Sequence, residues 1–107
     1  MDAEELLERY AAGERQFRDG NRQGIDLQGA DLSEIDLFRS NWNGADLSEA
    51  VLTKAHLSST SLSRASLINA NLTGIAGSSI NLSLADLSGA DLSCANLSNP
   101  LLSLSGY

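Results

Sequence analysis

The chain has 107 residues, with 14 Asp and Glu against 7 Lys and Arg, for a net charge of −7 and a pI near 4.4. That balance argues against direct nucleic-acid binding, which needs a basic patch. The single Cys94 excludes an intrachain disulfide, and no apolar run approaches the eighteen residues of a membrane span.

Residues 2–12 read as a helix. Asp2 and Glu5 fit a capping-box-like start. Ala3, Leu6, Leu7, Tyr10 and Ala11 gather on one face, and Gly13 suits the position just past the helix end. The helix is expected to cover the open end of the repeats that start at Ile25, since repeat arrays need capped ends. Met1–Glu8 is acidic and lacks a signal-peptide h-region, so a cytoplasmic location is expected. Phe17 is expected to act as capping core, and Arg22 to run its stem over the first coil with its head in water.

From Ile25 to Pro100 the sequence repeats every five residues. Leucine holds the central position at Leu27, Leu32, Leu37, Leu47, Leu52, Leu57, Leu62, Leu67, Leu72, Leu82, Leu87, Leu92, Leu97 and Leu102; Trp42 and Gly77 interrupt the series. Two residues earlier stands a small or apolar residue, usually alanine. Asp or Asn lies between them in ten of sixteen units, and Ser or Thr usually follows the leucine. On a helix, steps of five rotate by roughly 140° and mark no face. On a straight strand they alternate sides. All the leucines can point inward only if the chain turns a corner once per unit. Four corners close a square coil of twenty residues, and coils stack at about 4.8 Å. Short polar residues suit the corners, and Gly29, Gly44, Gly74 and Gly89 can supply positive φ there. Gly77 leaves a hole in the leucine column, which Ile75 of the same unit is expected to fill.

The pattern, as in GADLSEAVLTKAHLSSTSLSRASLINANLTG, resembles the pentapeptide repeat family, whose units read roughly A-(D/N)-L-x-x. The leader ELLERYAAGERQF resembles those preceding repeats in cyanobacterial members. The resemblance implies an all-β solenoid: a right-handed quadrilateral β-helix of about four coils with a short N-terminal capping α-helix. The expected organisation is an N-terminal helix and cap over 1–24, the repeat coil over 25–104, and a tail over 105–107.

Twenty-residue stacking also arranges the outer surface. Asp26 stands over Asp46, too few ligands for a Ca²⁺ site. Asp36 stands over His56, on a flat face without a cleft, and reads as a solvated pair. Ser33, Thr53, Thr73 and Ser93 form a hydroxyl column of repeated turn residues. Cys94 reads as a surface thiol without a charged activator. No catalytic, cofactor-binding or metal-binding residue is assigned, and no enzyme is expected. Pro100 weakens further pairing. The outward Leu84, Leu101 and Leu104 point to self-association, a homodimer through the C-terminal end, unless the tail Ser103–Tyr107 folds over them.

These features together suggest a non-catalytic scaffold or protein–protein interaction module. Its unidentified protein partner would be chosen by Phe38, Arg39, Val51, Lys54, Arg64 and Ile68, together with that leucine edge. The family resemblance implies an alternative, a DNA-mimicking inhibitor or protector of DNA gyrase. Charge opposes it: about 20 Å of duplex carries about twelve charges, whereas residues 25–104 carry a net −5.

Overall fold

The structure is a computed structural model that describes residues 1–101. Helix α1 spans Ala3–Ala11. Asp2 caps it, accepting the Glu5 N–H at 2.9 Å, and Gly13 lies just beyond it at φ 105°. The buried face is narrower than the heptad-like spacing predicts. Leu6 is fully buried and Ala3 and Tyr10 are half-buried, but Leu7 and Ala11 face solvent. Tyr10 Oη donates to the Ser33 carbonyl at 2.7 Å and pins the helix to the first coil. The Arg15 guanidinium stacks 3.7 Å from the Tyr10 ring centroid.

Beyond the helix the backbone pairs with itself at a constant offset. Fourteen parallel bridges join residue i to residue i+20, from Gln16↔Asp36 to Asn81↔Leu101. Twenty residues therefore make one turn of the coil, and pairing begins ahead of Ile25. No run of strand forms among the described residues; every bridge is isolated. The corner spacing explains this, since a bend every fifth residue ends each extended segment after one pair. The molecule measures 36 × 21 × 21 Å, with the equal short axes of a square prism.

One unit shows how the five-residue repeat satisfies its backbone. In 45–49, Ala45 N–H closes the corner onto Trp42 O, Asp46 N–H bonds Ile25 O in the preceding coil, and Leu47 and Glu49 N–H bond Ser66 O and Ile68 O in the next. Only the Ser48 N–H is left over, and Asp46 Oδ1 takes it at 3.0 Å. The same Asx contact recurs in eleven units, from Asn21 to Asn96. The Asp/Asn preference thus answers to one orphaned donor per unit.

At every corner from residue 19 to residue 99 the second turn residue has positive φ while the first does not. This is the arrangement of a type II turn. Glycine fills five of these places, but Lys54, Arg64, Leu84 and Cys94 are among twelve non-glycine residues held at φ 52–63°. Such backbone is costly for a side chain with Cβ, and the inter-coil bonds on both sides hold it in place.

The inward positions form one core. Leucines from Leu27 to Leu82 and alanines from Ala45 to Ala85 are buried, whereas Leu87, Leu92 and Leu97 are half-buried. Leu102 lies outside the described residues. Trp42 is fully buried, and so are Ser40 and Thr60, which stand where alanine is usual. Their hydroxyls are satisfied: Ser40 Oγ donates to Phe17 O at 2.9 Å and Thr60 Oγ1 to Leu37 O at 2.7 Å. The atoms nearest the missing Cβ of Gly77 are Leu97 Cδ2 of the next coil, the Asn96 carbonyl oxygen and Ile80 Cγ2 of the next unit, and Ile75 is buried in the same core. Arg22 departs from expectation altogether. Its head is buried under the first coil's end instead of reaching water, because Gly20 leaves room for the guanidinium.

Candidate functional site

No pocket is found among the described residues. The bridge register divides the outer surface into four sides. Asp36, His56, Ala76 and Asn96 run down the middle of one; Asn21, Asn41, Ser61, Asn81 and Leu101 down the next. Asp26, Asp46, Ser66 and Asp86 form the third column, and Asp31, Val51, Asn71 and Asp91 the fourth.

Two corners break the repeat's chemistry with an apolar side chain, at Ile68 and at Phe38, and the second is the more elaborate. The position after the central residue carries Ser58, Ser78 and Ser98 in later coils but Phe38 and Arg18 in the first two. Phe38 is half-buried. Arg18 and Arg39 flank it, with guanidinium carbons 5.7 and 5.6 Å from its ring centroid. Arg18 Nε donates to Asp36 Oδ2 at 2.7 Å, and Arg39 Nε to Asp19 Oδ1 at 3.2 Å. Asp36 is held further, since its Oδ1 accepts the Phe38 N–H at 3.0 Å. An aromatic ring with two ion-paired guanidiniums near it is therefore built into the corner. Arginine and aromatic side chains are those that dominate binding energy at interfaces.

The other expected contact residues do not converge. Lys54, Arg64 and Ile68 are exposed on separate corners, and Val51 is half-buried in the fourth column. Leu84 and Leu101 are exposed towards the C-terminal end; Leu104 lies outside the described residues. Phe38 and Arg39 are the pair that the fold brings together, and Arg18, Asp19 and Asp36 complete their cluster. Asp19 stands twenty residues before Arg39, the signal that links them.

The remaining candidates have local roles. Asp36 is engaged by Arg18 and Phe38, and no hydrogen bond joins it to His56 among the described residues. Asp26 and Asp46 each accept the N–H two residues on. In the hydroxyl column, Ser33, Thr73 and Ser93 turn back to Asp31, Asn71 and Asp91 at 2.7, 2.6 and 2.5 Å. These serine hydroxyls, then the backbone N–H groups, hold the Asp31 and Asp91 carboxyls below the usual carboxylate range, and Ser88 does the same for Asp86. Cys94 is exposed at its corner. Among the described residues no helix is long and apolar enough to cross a membrane.

A family model of pentapeptide repeats matches residues 30–67, 45–76 and 60–99, in eight copies. No curated protein matches the sequence. Among solved structures, the chain is similar to alr5209, a pentapeptide repeat protein from Nostoc PCC 7120. The two share 29% identity and a TM-score of 0.83, over 95% of this chain and 96% of that one. It is also similar to a pentapeptide repeat protein of the Arabidopsis thaliana thylakoid lumen, at 25% identity and TM-score 0.51, covering 91% of this chain and 61% of the other. Similarity to QnrB1, a plasmid-mediated fluoroquinolone resistance protein, is 24% identity and TM-score 0.57, over 82% and 48% of the chains.

Proposed function

The chain belongs to the pentapeptide repeat family, whose fold is a right-handed quadrilateral β-helix, and on that premise we propose that it is a non-catalytic protein-interaction scaffold of about four coils. The observation that carries this reading is the Phe38 corner. The fold needs only a small polar residue there, as Ser58, Ser78 and Ser98 show in the same column. An aromatic ring between Arg18 and Arg39 exceeds what the turn requires, and local violations of a repeat's own rules mark functional positions. Rigid backbone holds the cluster, so little ordering entropy is lost on binding.

The test uses the intact chain as bait beside Phe38→Ala and an Arg18→Glu/Arg39→Glu variant. A specific protein retained by the parent and lost by both variants supports the reading. Equal recovery by all three overturns its assignment to this corner. A homodimer through Leu84 and Leu101 is a separate proposal, and the solution mass of the parent and of a Leu101→Asp variant tests it.

A second reading is gyrase binding by DNA mimicry. What favours it is the gathering of acids on two adjacent sides: Asp26, Asp46 and Asp86 in one column, Asp31 and Asp91 in the next. The fold likeness to QnrB1 is compatible with it but carries no function at 24% identity. A gyrase supercoiling assay decides it: no inhibition or protection at micromolar protein removes the reading.

A further inference from the structure

Arg22 occupies the leucine register at the end of the solenoid covered by α1, and the residue is 8% exposed. Its hydrogen-bonding capacity is poorly met. Nη1 donates to Phe17 O at 3.1 Å, Nη2 faces Met1 Sδ at 3.9 Å, and Nε has no partner. The Phe17 and Trp42 rings lie 5.8 and 5.9 Å from its guanidinium carbon. No carboxylate forms an ion pair with it among the described residues. Burial, the largest influence, pushes its pKa down from the ordinary value, followed by repulsion from Arg9; Glu14 opposes both. A buried cation short of acceptors is a costly arrangement. The thioether it faces is a weak acceptor. Met1 itself is 45% exposed and is the chain's single methionine.

We propose that Met1 is a redox-modification site, and that its sulfoxide locks α1 onto the solenoid by bonding Arg22. The oxidant is a peroxide. A sulfur lone pair attacks the OH oxygen of the peroxide, the O–O bond breaks, and the proton on the transferred oxygen passes to the other oxygen, which leaves as water or an alcohol. Sulfur loses two electrons and the peroxide gains them. The product replaces a weak acceptor with a strongly polar S–O oxygen on a side chain with three rotatable bonds, within reach of the Nη2–H. A hydrogen bond to a charged donor is among the stronger kinds. Methionine oxidation usually disrupts apolar packing, but here the residue is 45% exposed and the sulfur's neighbour is a guanidinium. The expected effect therefore has the opposite sign.

The experiment uses the full chain carrying Cys94→Ser, so that the exposed thiol does not compete. Hydrogen peroxide is added until mass spectrometry shows one oxygen on Met1. The melting temperature should rise by about 4 °C, and amide exchange across residues 3–11 should slow. Both changes should reverse under methionine sulfoxide reductases. In an Arg22→Leu background the rise should vanish. An unchanged or lower melting temperature in the Arg22 protein overturns the proposal, as does an equal rise in the Arg22→Leu protein. Should that variant not fold, exchange in the Arg22 protein decides alone: unslowed α1 amides after complete oxidation refute the lock.

Discussion

Arg18 and Asp36 stand 18 residues apart in sequence and 2.7 Å apart across one turn of the coil. The pair is asymmetric: the Asp36 side chain is 12% exposed, that of Arg18 51%. Removing the exposed partner should therefore cost little, about 0–1 kcal/mol as for surface ion pairs. Asp36→Ala also strips the acceptor from the Phe38 N–H and should cost about 1–2 kcal/mol. Asp36→Asn keeps that acceptor and should fall between. Urea midpoints of the three variants check the order, and equal losses for Arg18→Ala and Asp36→Ala would contradict it.

Gly77 is the one described central position without a side chain, and its consensus residue is leucine. Restoring that consensus should nevertheless destabilise. A Cβ there would lie 3.0 Å from Leu97 Cδ2, 3.2 Å from the Asn96 carbonyl and 3.5 Å from Ile80 Cγ2. Gly77→Leu should cost about 1–3 kcal/mol through overpacking. Ile80→Ala alone should cost about 2–5 kcal/mol. The double variant should be more stable than the sum predicts, by about 1 kcal/mol or more, because each change supplies the volume the other lacks. Additive losses in denaturant titrations would show that the two positions do not share a space.

Tyr10 fastens α1 to the first coil through one hydroxyl. Tyr10→Phe should cost about 1 kcal/mol and should speed amide exchange in Ala3–Ala11 while leaving the middle coils unchanged. Burial, the largest influence, raises the Tyr10 pKa above its ordinary 10.0. The hydroxyl form is thus favoured in the folded state. Its contribution is full below pH 10 and is lost as pH rises through the higher folded value. Tyr10→Phe should show no such alkaline loss.

Acid should act with the opposite sign. Asp31, Asp86 and Asp91 are held below the ordinary 3.8 by serine hydroxyls and backbone N–H groups. Their contribution is complete above pH 3.8 and is lost as pH falls through the lower folded values. Melting temperature should therefore hold down to about pH 4 with respect to these groups, then decline. A Ser33→Ala/Ser88→Ala/Ser93→Ala chain should titrate closer to 3.8 at the three carboxyls and show a shallower decline. Carboxyl NMR titration reads the first effect directly; unshifted values in the triple variant would remove the hydroxyls as the cause.

The interior was legible because its rule is steric and repeats. Leucine every fifth residue demands corners, and the alanine before it fixes how closely the walls approach. The outer corner at Phe38 was half-legible. Phe38 and Arg39 stand out against serine, but Arg18 and Asp19 join them only because pairing begins at Gln16. Phe17 and Arg22 hide that start by replacing leucine. Arginine ordinarily keeps its head in water, so the burial of Arg22 depended on a cavity over Gly20 that no periodicity reveals. Nor does composition show that Leu84 and Cys94 adopt left-handed backbone. Glycine marks some corners, and the neighbouring coils impose the same geometry on the rest.

The constant offset of twenty residues also sets how this molecule can be edited. Losing or gaining one unit of five leaves every central leucine inward, yet it turns all later residues by a quarter revolution relative to those before. Asp46, now below Asp26, would move to another column, and acids, hydroxyls and amides would meet new vertical neighbours. A change of four units restores the original alignment. The leucine series thus behaves like a fixed axle and the exterior like a combination dial, so length changes in fives offer new surfaces, although one placed between Gly77 and Leu97 would also part that glycine from the side chain lying against it.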